Sequence, residues 1–205
     1  MINTYEAHFY ETSKELSTEA AKKHGYPVPK VYGVYTPSQI AENIEVEYPC
    51  IVKPDCGGRT SFTFIVHSGP ELSEKKDSIP DILFIAEEYI RPAYGYVTRI
   101  EVIDRECRLA LKRSVTKEGL SAYHLGSEYE IYKELPEEIE RTAIGAMDLL
   151  NIEAGSMDII ENETGYYIID VNSVSNASED NTEMFGFDLM KETAAYAVKR
   201  HNELL

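Results

Sequence analysis

Residues 154–172, AGSMDIIENETGYYIIDVN, constrain the chain most. Ala154–Ile160 reads as a buried strand and Tyr166–Val171 as its returning partner. Between them Asn162-Glu-Thr-Gly165 is a turn in which Gly165 is free to take a positive φ. A hairpin of this length brings Asp158 near the end that carries Asp170 and Asn172. Strand alternation puts Asp170 and Asn172 on one side and turns Val171 away. Two carboxylates and an amide then converge at a sheet edge. An oxygen-only set of this kind suits Mg²⁺ or Mn²⁺ better than Zn²⁺. Mg²⁺ commonly binds through one or two carboxylates plus substrate phosphates, without a complete protein cage. Asp-x-Asn is also a common turn element, so the metal reading needs a phosphate site elsewhere in the chain.

At 205 residues the chain forms one large domain or two small ones, with a sizeable core either way. Its formal net charge of −16 repels nucleic acid and anionic membrane, and neither is expected as a partner. The same field opposes a polyanion such as ATP unless local cations and Mg²⁺ reverse it. Cys50, Cys56 and Cys107 are odd in number and lack CxxC spacing, which fits a reducing compartment and no zinc site. The start, MINTYEAHFYETSK, has no signal-peptide pattern, and no stretch approaches the apolar length of a membrane span. A soluble cytoplasmic protein is expected.

Ser13 can cap a helix from Lys14 to about His24, stopped by Gly25 and Pro27. Val31–Tyr35 reads as a strand, and Thr36 caps a short helix, Pro37–Asn43. Tyr48–Lys53 is a strong strand, followed by the small-residue loop Asp55-Cys-Gly-Gly-Arg-Thr-Ser61 and the strand Phe62–His67. Backbone N–H groups of such a loop can approach phosphate oxygens, and Lys53 adds a point charge. The loop is not a Walker A loop, since no Gly-Lys-Ser/Thr follows and no helix starts there. An ordinary hairpin with a longer loop explains the segment equally well.

Gly69–Pro80 reads as a short helix or loop, and Ile82–Ile90 as a buried strand with two adjacent carboxylates near its end. Arg91–Gly95 breaks the chain direction, which sets a boundary between a small lid, 1–90, and a larger body, 91–205. Tyr96–Ile103 and Arg108–Val115 read as paired strands, and Thr116–Glu128 as a mobile active-site loop. Pro136–Leu150 is the clearest helix, with Ile139, Ala143, Ala146, Met147 and Leu150 on one face. Val174–Asp188 reads as irregular. Asp188 can cap a last helix that presents Met190, Ala194, Ala197, Val198 and His201 on one face.

The ordered set Lys14, YPCIVKP, Gly57-Gly58, AEEYI, Arg99, Lys112-Arg113, Asp158 and Asp170-Val-Asn172 resembles the ATP-grasp superfamily. Within it the chain is most similar to RimK-like carboxylate–amine ligases and glutathione synthetases. The resemblance implies an α/β (α+β) fold of two subdomains gripping ATP, without the family's N-terminal domain. It implies that Lys53, Gly57 and Gly58 meet the nucleotide phosphates and that Lys14 is an earlier ATP-binding lysine. Glu87, Glu88 and Ile90 resemble the hinge that reads adenine. Asp158, Asp170 and Asn172 resemble the three Mg²⁺ ligands; relatives usually have Glu where Asp170 stands. Arg113, with Arg99 nearby, resembles the arginine that stabilises an acyl phosphate and tetrahedral intermediate. The implied reaction is ATP-dependent amide formation. Its partners are small-molecule or peptide carboxylates and amines, with a separate substrate-binding domain or chain possible. The alternative is a non-catalytic ATP-binding regulatory module; a degenerate module would be expected to lose some of the metal-ligand positions that this chain keeps.

Overall fold

The structure is a computed structural model that describes residues 2–42, 44–57, 60–122, 125–174, 179–203 and 205. Two helices open the chain, α1 (Tyr5–Glu11) and α2 (Lys14–Lys23). Helix α2 lies where expected, and the Ser13 hydroxyl accepts from the Leu16 N–H at 3.2 Å. Helix α1 was not expected. Its seven residues show no clear helical repeat. Thr4 caps it, and Ala7, fully buried, anchors it in the main core.

The first sheet has the order β1-β4-β2-β3. It comprises β1 (Val31–Tyr35), β2 (Cys50–Pro54), β3 (Phe64–Val66) and β4 (Phe84–Glu88). Helices α3 (Pro37–Ala41) and α4 (Gly69–Glu74) cover one face. There Ile40 and Leu72 pack on Cys50, Val52, Val66, Phe84 and Ala86. Alternation turns Ile51, Lys53, Ile85 and Glu87 to the other face. The strands are shorter than the apolar runs suggest. Pro49 has no N–H to give to a ladder, so β2 starts at Cys50. Ile82 and Leu83 are about half exposed and precede β4.

The second sheet has the order β7-β6-β5-β8-β9. Strands β5 (Tyr96–Ile103) and β6 (Glu106–Ser114) join through Asp104 and Arg105, both at positive φ as a two-residue hairpin turn requires. Strand β7 (Tyr129–Ile131) is a short edge segment not foreseen in the sequence, held by three rungs to β6. Helix α5 (Glu137–Leu149) follows, then the hairpin β8 (Ala154–Asn162) and β9 (Gly165–Asn172). Ile139, Ala143, Ala146, Met147 and Leu150 bury against Ile100, Val102, Met157, Ile159 and Ile168. Glu137, Glu138 and Glu140 in the first turn of α5 complement the helix dipole.

Two helices complete the chain, α6 (Glu179–Phe185) and α7 (Leu189–Glu203). Helix α6 falls in a stretch expected to be irregular. The Asp188 carboxylate accepts from the Lys191 N–H at 3.0 Å, as expected for a cap. The expected apolar face of α7 is wrong. Met190 and Val198 are 66% and 62% exposed, and Tyr196 is the buried residue. The ring of Tyr196 packs near Leu189, Ile103 and Ala154. Ion pairs of Lys199 with Asp104 and of Arg200 with Glu153 fix that orientation. A large ring with a polar tip outweighs the smaller aliphatic side chains.

Candidate active site

One face of the second sheet carries charge in place of core. Arg113 stands opposite Val97, Arg99 opposite Asp158, Asp158 opposite Asp170, and Ser156 opposite Asn172. Directly opposed residues share a face, so these side chains rise on the same side. Their sequence neighbours Thr98, Lys112 and Met157 point to the other. Lys112 lies over the rings of Tyr132 and Tyr96, with its ammonium 4.3 and 4.8 Å from their centroids.

The placing of Asp170 depends on an irregularity. Ile159 pairs with Ile168 and Asp158 with Asp170, so Ile169 is an extra residue in β9. Ile168 is on the core face. In a regular strand Asp170 would share that face with it. The bulge at Ile169 reverses the alternation and brings Asp170 beside Asp158. It also frees the Ile169 carbonyl to accept from Lys53 Nζ at 2.8 Å. Gly155 lets β9 pass close by, since a Cβ there would lie 2.2 Å from the Asn172 carbonyl oxygen.

Opposed carboxylates repel unless cations surround them. Arg113 Nη2 lies 2.6 Å from Asp158 Oδ2, and Arg99 Nη1 lies 3.5 Å from Asp158 Oδ1. Arg99 also meets Glu101 at 2.8 Å and donates to the Ser156 hydroxyl at 2.5 Å. Burial works against the charge of Arg99, but Asp158 and Glu101 outweigh it and push its pKa further up. Lys14 Nζ donates to the Gly57 carbonyl at 3.1 Å and lies 3.8 Å from Asp170. Lys53 Nζ lies 2.7 Å from Glu87. Burial disfavours the Lys53 ammonium; Glu87, then Asp170 and Asp158, more than compensate and raise its pKa.

The structure therefore brings Lys14, Gly57, Lys53, Glu87, Arg99, Arg113, Asp158 and Asp170 into one cleft between the two sheets. Among the described residues four cations face four anions there: Lys14, Lys53, Arg99 and Arg113 against Glu87, Glu101, Asp158 and Asp170. A chain of net charge −16 thus holds a locally balanced site. Glu88 and Ile90 stand apart from this cluster. The Glu88 side chain is exposed, and its N–H donates to the Lys30 carbonyl at 2.8 Å. Ile90 packs with Val97 and Ile160. Gly58 lies outside the described residues, as do Tyr123 and His124 of the loop after Arg113. In that loop Gly119 packs tightly against Ile65 and Tyr89, so it touches the first half of the chain.

Two observations bear on what the cleft can hold. Arg113 is 8% exposed, and its Nε is a buried donor without a partner among the described residues. Such a group calls for an anionic or carbonyl oxygen. No group of three His, Cys, Asp or Glu side chains suited to a metal occurs among the described residues. The set at hand is two opposed carboxylates plus the Asn172 amide. Its hard oxygen chemistry fits Mg²⁺ or Mn²⁺ that takes its other ligands from phosphate and water.

Sequence reasoning missed Glu101 and Ser156, although each lies two residues from a named site residue on the same strand. Alternation alone could have found them. It also missed Asn3, for which the sequence holds no signal. The Asn3 side chain is 3% exposed. It donates to the carbonyls of Ala154 and Ser173 and accepts from the N–H groups of Glu153 and Ala154. It thereby joins the start of β8 to the end of β9, next to Asn172.

The fold of this chain is shared with solved ATP-grasp ligases. The D-alanine–D-alanine ligase from Bacillus anthracis superposes with a TM-score of 0.73 at 14% identity, over 99% of this chain and 72% of that one. The ATP-grasp ligase PsnB, in complex with a minimal precursor, gives a TM-score of 0.70 at 18% identity, over 97% and 63%. The chain belongs to the RimK-like ATP-grasp domain family, whose model it matches over residues 12–197. A D-alanine–D-alanine ligase of Pediococcus pentosaceus is 31% identical over 148 residues, 66% of this chain and 41% of that protein. A probable α-L-glutamate ligase of Desulfotalea psychrophila is 25% identical over 172 residues, 78% of this chain and 35% of that protein. The chain thus spans less than half the length of these curated relatives. No helix among the described residues is long and apolar enough to cross a membrane.

Proposed function

We propose that this chain is the catalytic domain of a carboxylate–amine ligase that forms an amide while ATP becomes ADP and phosphate. The observation that carries the reading is the opposed pair Asp158 and Asp170, set among Lys14, Lys53, Arg99 and Arg113 in one buried cleft. The structural relatives include a Bacillus anthracis ligase solved with ATP and PsnB solved with Mg and ADP, which supports a nucleotide in that cleft. Residues 1–90 act as the lid and 91–205 as the body, although α1 packs its Ala7 in the core of the second sheet. The work takes place in the cytoplasm, where three free thiols are expected to persist.

Asp158, Asp170 and Asn172 would hold Mg²⁺ or Mn²⁺, which neutralises charge on the phosphate oxygens. Lys53 and Lys14 add positive charge toward the phosphates from the lid strand and from α2, and Gly57 and Gly58 would offer them backbone N–H groups. Glu87 orients Lys53, while the backbone of Glu88 and Ile90 borders the adenine. The substrate carboxylate attacks the γ-phosphate, and ADP leaves. An amine then bonds to the acyl carbon, the C–O bond to phosphate breaks, and the amine loses a proton. Arg113 offers its unpartnered Nε to the oxygen that gains charge, with Arg99 holding Asp158 in place. Positioning and oxygen-charge neutralisation supply most of the rate. The substrates are amino-acid or peptide carboxylates and amines, and a further domain or chain contributes to binding them.

The test is release of ADP and phosphate that depends on an added carboxylate and amine, with and without a candidate partner. Asp170→Asn should leave the fold intact and weaken Mg²⁺-dependent nucleotide binding. Unchanged Mg²⁺-ATP affinity in that folded variant removes the metal assignment. Nucleotide binding without turnover under every condition makes the regulatory module the better reading.

A further inference from the structure

The loop after Lys53 opens with an acid. Asp55 stands two residues before Gly57, where the proposed function puts phosphates. A carboxylate facing that space would repel them. Asp55 instead turns away and is 7% exposed. Its Oδ1 accepts from the Glu15 N–H at 3.0 Å. Its backbone carbonyl accepts from the Lys14 N–H at 3.0 Å, and its own N–H donates to the Leu83 carbonyl at 3.0 Å. One residue therefore joins the end of β2, the approach to β4 and the first turn of α2.

The first turn of a helix has N–H groups without intrahelical partners and the positive end of the dipole. Ser13 satisfies Leu16, and Asp55 satisfies Lys14 and Glu15. The negative charge of Asp55 is thus absorbed by the helix end and kept out of the loop. The same turn carries Lys14, whose Nζ returns to the Gly57 carbonyl at 3.1 Å. The contacts close a ring: Asp55 holds the backbone of Lys14, and Lys14 holds the loop two residues beyond Asp55.

We propose that Asp55 is a positioning residue that couples the helix bearing Lys14 to the strand and loop bearing Lys53 and Gly57, so that they meet the nucleotide as one unit. The proposal rests on reading this loop as a phosphate site. It does not place Asp55 in contact with the nucleotide.

The experiment measures Mg²⁺-ADP and Mg²⁺-ATP affinity by calorimetry on the full chain, with thermal unfolding recorded in parallel. Asp55→Ala is expected to weaken affinity by about tenfold or more, and Asp55→Asn, which keeps the acceptor oxygen, to stay within about threefold of the parent. Combining Asp55→Ala with Lys14→Ala should cost at most about twofold beyond the weaker single variant, because the two act through one ring. If Asp55→Ala does not fold, Asp55→Asn and Asp55→Glu decide. Glu keeps the charge but misplaces the oxygen, so it should bind more weakly than Asn. Parent-like affinity in Asp55→Ala, Asn no better than Ala, Glu better than Asn, or additive losses with Lys14→Ala would each overturn the inference while leaving the phosphate site standing. Absence of nucleotide binding by the parent chain overturns both.

Discussion

The two faces of the second sheet are built from the same strands and are opposite in character. On one face Ile100, Met157, Ile159 and Ile168 bury against α5, with Glu161 and Lys112 set beside Thr98, Tyr96 and Tyr132. On the other, Arg99, Arg113 and Asp158 are largely buried and Asp170 is partly exposed, with every charge offset by another. Residues one apart in sequence belong to different regimes: Met157 with Asp158, Lys112 with Arg113. The contrast shows how a single sheet supports a rigid body and a reactive surface together. Apolar packing on the far side fixes the backbone, so the near side can keep charges whose geometry would otherwise relax.

Substitutions at neighbouring positions test that division. Met157→Ala should show the largest effect on stability, about 2–5 kcal/mol by denaturant unfolding, with nucleotide affinity per folded molecule unchanged. A comparable loss of affinity would mean that the faces are not separable. Arg113→Ala should spare ATP binding and lower amide formation by about 10²–10³, read as turnover against ATP affinity in the same preparation. Wild-type-like turnover would remove Arg113 from the mechanism. Thr98→Val takes from the buried Glu161 a hydrogen bond of 2.8 Å, on the face away from the cleft. It should cost about 1–3 kcal/mol of stability without changing the proposed turnover per folded molecule. Lys112→Met, beside Arg113 but over Tyr96 and Tyr132, should cost under about 1 kcal/mol and leave turnover alone.

The alkaline response sharpens the comparison further. Burial first, then Tyr96 and Glu161, raise the Tyr132 pKa, so the phenol stays neutral in the folded state to higher pH than in the unfolded chain. The resulting stability is fully present below about pH 10, the ordinary tyrosine value, and is lost as pH rises from there through the raised pKa. Tyr132→Phe should flatten that part of the stability profile. Lys53, raised as well, loses its contribution in the same direction above the ordinary lysine range. An unfolding series from pH 9 upward, with and without Tyr132→Phe, separates the Tyr132 side of the second sheet from the cleft.

Much of this was readable from the residues. The hairpin brings Asp158 near the end that carries Asp170 because apolar runs and a turn signal fix its ends. Lys53 lies one residue before the end of β2, which stops at Pro54 where a small-residue loop follows. Helix α5 is visible because its five core residues keep the helical repeat. The bulge at Ile169 was hidden, since an unbroken run Tyr-Tyr-Ile-Ile-Asp reads equally as regular strand. The orientation of α7 was hidden too, because partners more than 40 residues away decide it. The Glu87–Lys53 pair joins two strands whose register no local signal reports.

The Asn3 staple bears on where a fragment of this domain can begin. Sequence similarity to the family runs from residue 12 to residue 197, which invites a fragment with those ends. Such a fragment lacks Asn3, α1 and the part of α7 after residue 197. Its loss would strip the backbone groups of Glu153, Ala154 and Ser173 of their side-chain partners. Each buried group left without a partner costs about 1–3 kcal/mol, a large share of the margin by which a domain this size stays folded. The autonomous unit therefore begins upstream of the recognisable one, and its stability is set by a residue that similarity does not mark.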